Sequence, residues 1–190
     1  MVRDRHGDVA IDMTMGAMGK IDATRIVFTT NWFSIEEKTL AADAVPYFTL
    51  NCSDYISVVA LTDADDLVLV RQFRPSVEEH TLELPSGHVD AGETAIGAAA
   101  RELSEETGYI PESLHEMGVV RPDTGRLSNC LHLFFSKVWR PLNGWRPEPG
   151  IEVVELARPN VLQSLASGAP VIRHAHCLAA IGMAVLQGRL

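Results

Sequence analysis

The alternation of apolar and polar positions divides the chain into a β-rich N-terminal stretch, a strand-dense middle, one sharply bounded helix, and an end in which strands give way to helices. Residues 1–22 carry Gly7, Gly16, Gly19 and scattered methionines without a sustained period, which predicts a flexible tail. Residues 23–52 read as an N-terminal β extension with short strands over 25–33, 34–40 and, after Pro46, 47–52. Such strands have little core of their own and must lean on a larger body or a second subunit. The main domain is residues 53–190. Within it, runs at 55–61 and 67–74 flank the polar turn 63–66 as a hairpin, and a short strand at 81–84 stops at Pro85. Thr94 is the expected N-cap of a helix whose buried stripe is Ile96, Ala99, Ala100 and Leu103, with Gly108 ending it. Strands follow at 118–121, 130–139 and 151–156, then helices from Pro159 to near Gly168 and over 171–186. This order predicts an α/β (α+β) sandwich in one catalytic domain.

The composition narrows the class. With 190 residues, 46% apolar and 22% charged, the chain is long enough for one substantial core. A net charge of -9 repels nucleic acid and anionic membrane, so neither is an expected partner. An anionic substrate would need local cations or a metal. Cys52, Cys130 and Cys177 are odd in number and form no CxxC or CxxH pair, which predicts reduced thiols in a cytoplasmic protein. The N-terminus lacks the apolar core of a secretion signal, and no segment approaches the length of a membrane span.

The strongest chemical signal sits on the first helix. Glu102, Glu105 and Glu106 stand at i, i+3 and i+4, so their carboxylates share a face and repel one another. A hard divalent cation, Mg²⁺ or Mn²⁺, is the natural counter-charge for such an oxygen cluster. Together with Gly87, Glu93, Arg101, Leu103, Gly108 and Tyr109, these glutamates resemble the signature of the Nudix hydrolases, G-x5-E-x7-R-E-U-x-E-E-x-G-U, with every spacing kept. At average residue frequencies a chance match of the seven fixed identities in such a chain is below roughly one in a million. The resemblance implies a Nudix fold, a mixed sheet between helices, and hydrolysis of a nucleoside diphosphate linked to another moiety. It further implies Mg²⁺ or Mn²⁺ on Glu102, Glu105 and Glu106, a main-chain carbonyl from Ser86, and Gly87, Glu93, Arg101 and Gly108 as the structural frame of the motif.

Arg71-Gln72-Phe73-Arg74 and Glu83-Leu84-Pro85-Ser86-Gly87 are similar to segments of the ADP-ribose pyrophosphatase group within that family. By this resemblance Arg74, and more weakly Arg71, contacts phosphate; the plain reading of Arg74 is a charge capping a strand. Two departures stand out. The group's proline beyond the motif is displaced, since Pro122 lies fourteen residues past Gly108 in a Pro-Asp-Thr-Gly turn that carries Arg126, a candidate sugar or phosphate contact. The group's loop glutamate, its general base, has no single match: Glu148 and Glu152 are both candidates, and a glutamate of the motif is a third. Trp32 stacks on a nucleobase or packs in a core or dimer interface. His88, His174 and His176 lack the spacing of a zinc site. The β-rich extension predicts a homodimer. The leading expectation is cleavage of ADP-ribose or a nucleotide sugar to a nucleoside monophosphate and a sugar phosphate. The alternatives are hydrolysis of nucleoside triphosphates, dinucleoside polyphosphates or coenzyme A, and a non-catalytic nucleotide-sugar-binding module.

Overall fold

A computed structural model describes residues 20–40, 45–139, 144–168 and 170–190, together with the backbone of β1 (Val2–Arg3) and β2 (Val9–Ala10). Most of the expected tail therefore lies outside the described residues. Its last two residues, Ile21 and Asp22, already belong to a strand. The chain forms two compact units, Met1–Leu50 and Asn51–Leu190.

The first unit holds a three-stranded sheet in the order β3 (Ile21–Thr29), β4 (Phe33–Leu40), β5 (Tyr47–Cys52), the last strand running into the second unit. The expected strand over 25–33 is broken at Thr30, whose hydroxyl accepts hydrogen bonds from the Trp32 and Phe33 amides at 3.1 and 3.0 Å. A Thr side chain that satisfies two backbone donors makes a local turn cheaper than continued pairing. Trp32 is thus a turn residue, not a strand residue.

The second unit is built on an eight-stranded mixed sheet. Its main path runs β10 (Ile110–Pro111), β12 (Leu131–Trp139), β6 (Tyr55–Leu61), β7 (Asp66–Arg74), β13 (Ile151–Ala157). β11 (His115–Val120) pairs with β12, β8 (Glu79–Glu83) with β7 and β9 (Ser86–His88) with β6. Only β6 and β12 are parallel. The β6–β7 hairpin keeps just two register pairs, Ala60↔Val68 and Leu61↔Leu67, beside its turn. Beyond them β6 takes β9 as partner and β7 takes β8. The segment that crosses between the two arms is the one that leads into the glycine loop.

Period-two alternation divides the apolar residues between two cores. Val59, Leu61, Leu67, Leu69, Leu131, Leu133 and Phe135 face one side with α2 (Arg158–Ala166) and α3 (Ala175–Leu186). Ile56, Val58, Ala60, Val68, Phe134 and Val138 face the other with α1 (Ala95–Thr107). This is the mixed sheet between helices that the resemblance implied. The stripe of α1 is rotated from expectation: Ala98, Ala99, Leu103 and Glu106 are buried, whereas Ile96 is 51% exposed. Small alanines let the helix lie close to the sheet, and the close approach fixes which face turns inward. α3 begins at Ala175 rather than 171, and β11 begins three residues earlier than the apolar run suggested.

Candidate metal and diphosphate site

The frame of the site is set at both ends of α1. Thr94 caps its start, accepting the Gly97 amide at 3.2 Å, and Gly108 ends it in the left-handed region at φ 73°. A side chain at Gly108 would be strained twice over, because a Cβ there would stand 2.5 Å from the Trp145 ring. Trp145 also donates its indole N–H to the Glu105 carbonyl at 3.1 Å, so the 144–150 loop is fastened to the last turn of α1.

Between those ends, Arg101 is the hub. Its guanidinium bonds Glu93 through two nitrogens at 3.0 and 2.9 Å, Glu102 at 2.8 Å, Glu105 at 3.1 Å and the His88 carbonyl at 3.1 Å. Glu93 in turn accepts the Asp90 amide at 3.2 Å, closing the glycine loop. Hydrogen bonding to Arg101 holds the Glu93 carboxyl below its usual range, and the same contacts raise the guanidinium's own pKa. These contacts tie the glycine loop to α1 through Glu93 and Arg101.

β9 and α1 meet at the carboxylates. The Ser86 amide donates to Glu106 Oε2 at 3.0 Å, and a Cβ on Gly87 would collide with the Glu102 carboxylate. Burial pushes the Glu106 carboxyl up to about 8 and raises Glu102 as well. Glu106 therefore sits in the buried stripe rather than beside the core, as wheel geometry alone had it. Among the described residues no three acidic, histidine or cysteine side chains already form a coordination cluster. The residues nonetheless fit a hard divalent ion: the donors are all oxygen, Gly87 leaves a cradle against Glu102, and Glu106 is a buried acid without a full counter-charge. Glu105 is half exposed and drawn to Arg101.

Ser86 and Gly87 also border a cavity of about 500 Å³ that Arg74 enters. Arg74 makes a two-pronged contact with the fully buried Glu83, at 2.9 and 2.6 Å. Burial alone would raise Glu83, but hydrogen bonds from Arg74, His174 and Thr81 outweigh it and hold the carboxyl well below the usual range. A fixed guanidinium facing a cavity is a ready phosphate contact. Thr81 and Glu83 on β8 face the same side as Gln72 and Arg74 on β7, a relation set by the strand register.

The remaining candidates scatter. Arg71 and Glu152 are register partners on β7 and β13 and pair with each other at 3.2 Å, both more than half exposed. Glu148 is an exposed residue of the loop that Trp145 fastens. Arg126 lies in the turn opened by Asp123 and contacts the Gly125 carbonyl at 2.8 Å. Trp32 is 74% exposed and belongs to the first unit. Sequence reasoning missed Tyr55 and the role of Trp145. It also set aside His88, His174 and His176, all of which border the cavity. The Glu83 contact was readable in principle from the strand pairing, whereas the Trp145 contact joins segments with no local signal.

The geometry can be set beside known proteins. Over 115 residues the chain is 30% identical to an ADP-ribose pyrophosphatase of Bacillus subtilis, covering 59% of this chain and 62% of that protein. Over 129 residues it is 35% identical to an ADP-sugar pyrophosphatase of Mus musculus, covering 60% and 57%. The chain thus spans about three fifths of the length of these curated relatives. A solved structure described as an ADP compounds hydrolase shares the fold, with a TM-score of 0.71 at 22% identity over 90% of this chain and 96% of that one. The NUDIX domain model matches residues 54–176, from the start of the central sheet to the beginning of α3, and the chain belongs to the Nudix family.

Proposed function

We propose that this chain is a divalent-metal-dependent pyrophosphohydrolase that cleaves ADP-ribose or a nucleotide sugar to a nucleoside monophosphate and a sugar phosphate. The observation that carries the reading is the meeting of two features at one ribbon: Ser86 and Gly87, which the Glu106 and Glu102 carboxylates contact from α1, also line the cavity that Arg74 enters. The names of the relatives, an ADP-ribose and an ADP-sugar pyrophosphatase, point to the same substrate class.

Glu102, Glu105 and Glu106, with the Ser86 carbonyl, would hold Mg²⁺ or Mn²⁺. Such an ion, when bound, neutralises diphosphate charge and lowers the pKa of the attacking water. Arg74, held by Glu83, orients the diphosphate, and Arg101 keeps the carboxylates in place without entering the reaction. Glu148 is the favoured base, because its loop is fastened to α1 while Glu152 is engaged with Arg71. Arg71 and Arg126 are secondary substrate contacts. Trp32, Ile26, Phe28 and Phe48 are exposed apolar residues of the first unit, which suits a homodimer interface. Light scattering at micromolar concentration should give twice the chain mass, and a monomer would remove this part of the reading. Three free cysteines suit a cytoplasmic protein, and no described helix is long and apolar enough to cross a membrane.

The test is a panel of ADP-ribose, nucleotide sugars, nucleoside triphosphates and coenzyme A with Mg²⁺, read by product identification. Preferred release of pyrophosphate from a triphosphate would overturn the substrate assignment.

A further inference from the structure

The cavity that Arg74 enters is also lined by a run of rings that the proposed mechanism does not use. Tyr55 at the start of β6 lies 4.2 Å from the His88 ring and 6.1 Å from the His176 ring, centroid to centroid. His176 in turn lies 4.6 Å from His174 at the N-terminus of α3. Three elements distant in sequence thus bring four hydrogen-bonding rings to one wall.

Two arginines line the cavity: Arg74, taken up by the diphosphate in the proposed activity, and Arg173, which is held by Glu79 at 2.6 Å. Burial, and then the neighbouring His174, push His176 below the usual imidazole value, so its ring is uncharged near neutral pH. A neutral imidazole offers one donor and one acceptor, and a tyrosine hydroxyl offers both. Aromatic faces add apolar surface of the right breadth for a sugar ring. A second phosphate would find little here, whereas vicinal hydroxyls would find matched partners.

We infer that Tyr55 and His176, with His88 beside them, form a specificity wall that takes the pentose joined to the diphosphate, with its hydroxyls on the ring nitrogens and the phenol. This rests on the cavity being the substrate site of the proposed activity. Tyr55, His88 and His176 all belong to the second unit.

Two measurements test it. In chelator, where no turnover is expected, adding ADP-ribose or ribose 5-phosphate to the intact protein should shift the His176 ring NMR signals. With Mg²⁺, His176→Phe keeps the ring but loses both nitrogens, and should raise KM for ADP-ribose roughly tenfold while leaving kcat within about twofold, the scale of one or two lost hydrogen bonds. KM for ADP carrying only a methyl ester on its distal phosphate should not move. If ADP-ribose is hydrolysed while the ring signals and the KM of the variant stay put, the wall is not a sugar site and the proposed activity survives. If ribose 5-phosphate shifts His176 but no diphosphate is cleaved, the wall stands and the activity falls. A wild-type ring that never moves overturns the inference even where the variant fails to fold.

Discussion

Glu106 is the residue on which charge, burial and function meet. It lies in the buried stripe of α1, hydrogen-bonded to the Ser86 amide, with its carboxyl raised from 4.5 to about 8. A folded-state pKa above the unfolded value means the folded chain keeps a proton that the unfolded chain has lost. The contribution of Glu106 to metal-free stability is therefore greatest below 4.5 and is lost as pH rises through 8. Glu106→Gln removes that loss: in chelator at pH 8 its Tm should exceed the parent's by on the order of several degrees. Mg²⁺ should raise the parent's Tm and leave the variant's nearly unchanged. Glu83→Gln behaves otherwise. It takes a fixed anion from Arg74, so KM should rise by about tenfold and the melting temperature should drop, with kcat less affected. Equal kcat and KM effects would show that Arg74 acts through the transition state instead.

At the scale of elements, α1 and the 144–150 loop are joined by one contact that a pattern could not reveal. Gly108 reads as a helix stop in any sequence, and its φ of 73° bears this out. That the same glycine also makes room for the Trp145 ring is a long-range fact. Gly108→Ala should cost about 1–3 kcal/mol from backbone strain alone, and more in contact with Trp145. In a double-mutant cycle with Trp145→Ala, unfolding in denaturant should show a coupling of about 0.5–3 kcal/mol, whereas strict additivity would place the loop elsewhere. The motif residues of α1 were legible because chemistry fixes their identity and spacing. Its buried face was not, because Ile96 is apolar yet exposed and Glu106 is charged yet buried. Periodicity ranks residues by hydrophobicity, and the site inverts that ranking at Glu106.

For the whole molecule, the proposed anion site of this acidic chain lies where the β6–β7 hairpin parts. Each side of the sheet has its own core, and the hairpin β6–β7 parts so that β9, which meets the carboxylates at Ser86 and Gly87, also lines the cavity. The order of strands and helices was readable from period and turn chemistry, as was the fold class. The cavity was not, because Tyr55, His88 and His176 converge only through the sheet and the start of α3. Trp32, read as a strand residue, became a turn through the Thr30 hydroxyl, a local contest that propensity does not weigh. The central claim is that the carboxylates and Arg74 serve one hydrolytic reaction on a nucleoside diphosphate sugar. The most direct measurement is incubation of the purified chain with ADP-ribose and Mg²⁺, with products separated and identified. The account predicts AMP and ribose 5-phosphate in equal amounts, no turnover in chelator, and a loss of about a hundredfold or more in Glu106→Gln. Undiminished hydrolysis by that variant, or intact ADP-ribose with the parent protein, would contradict it.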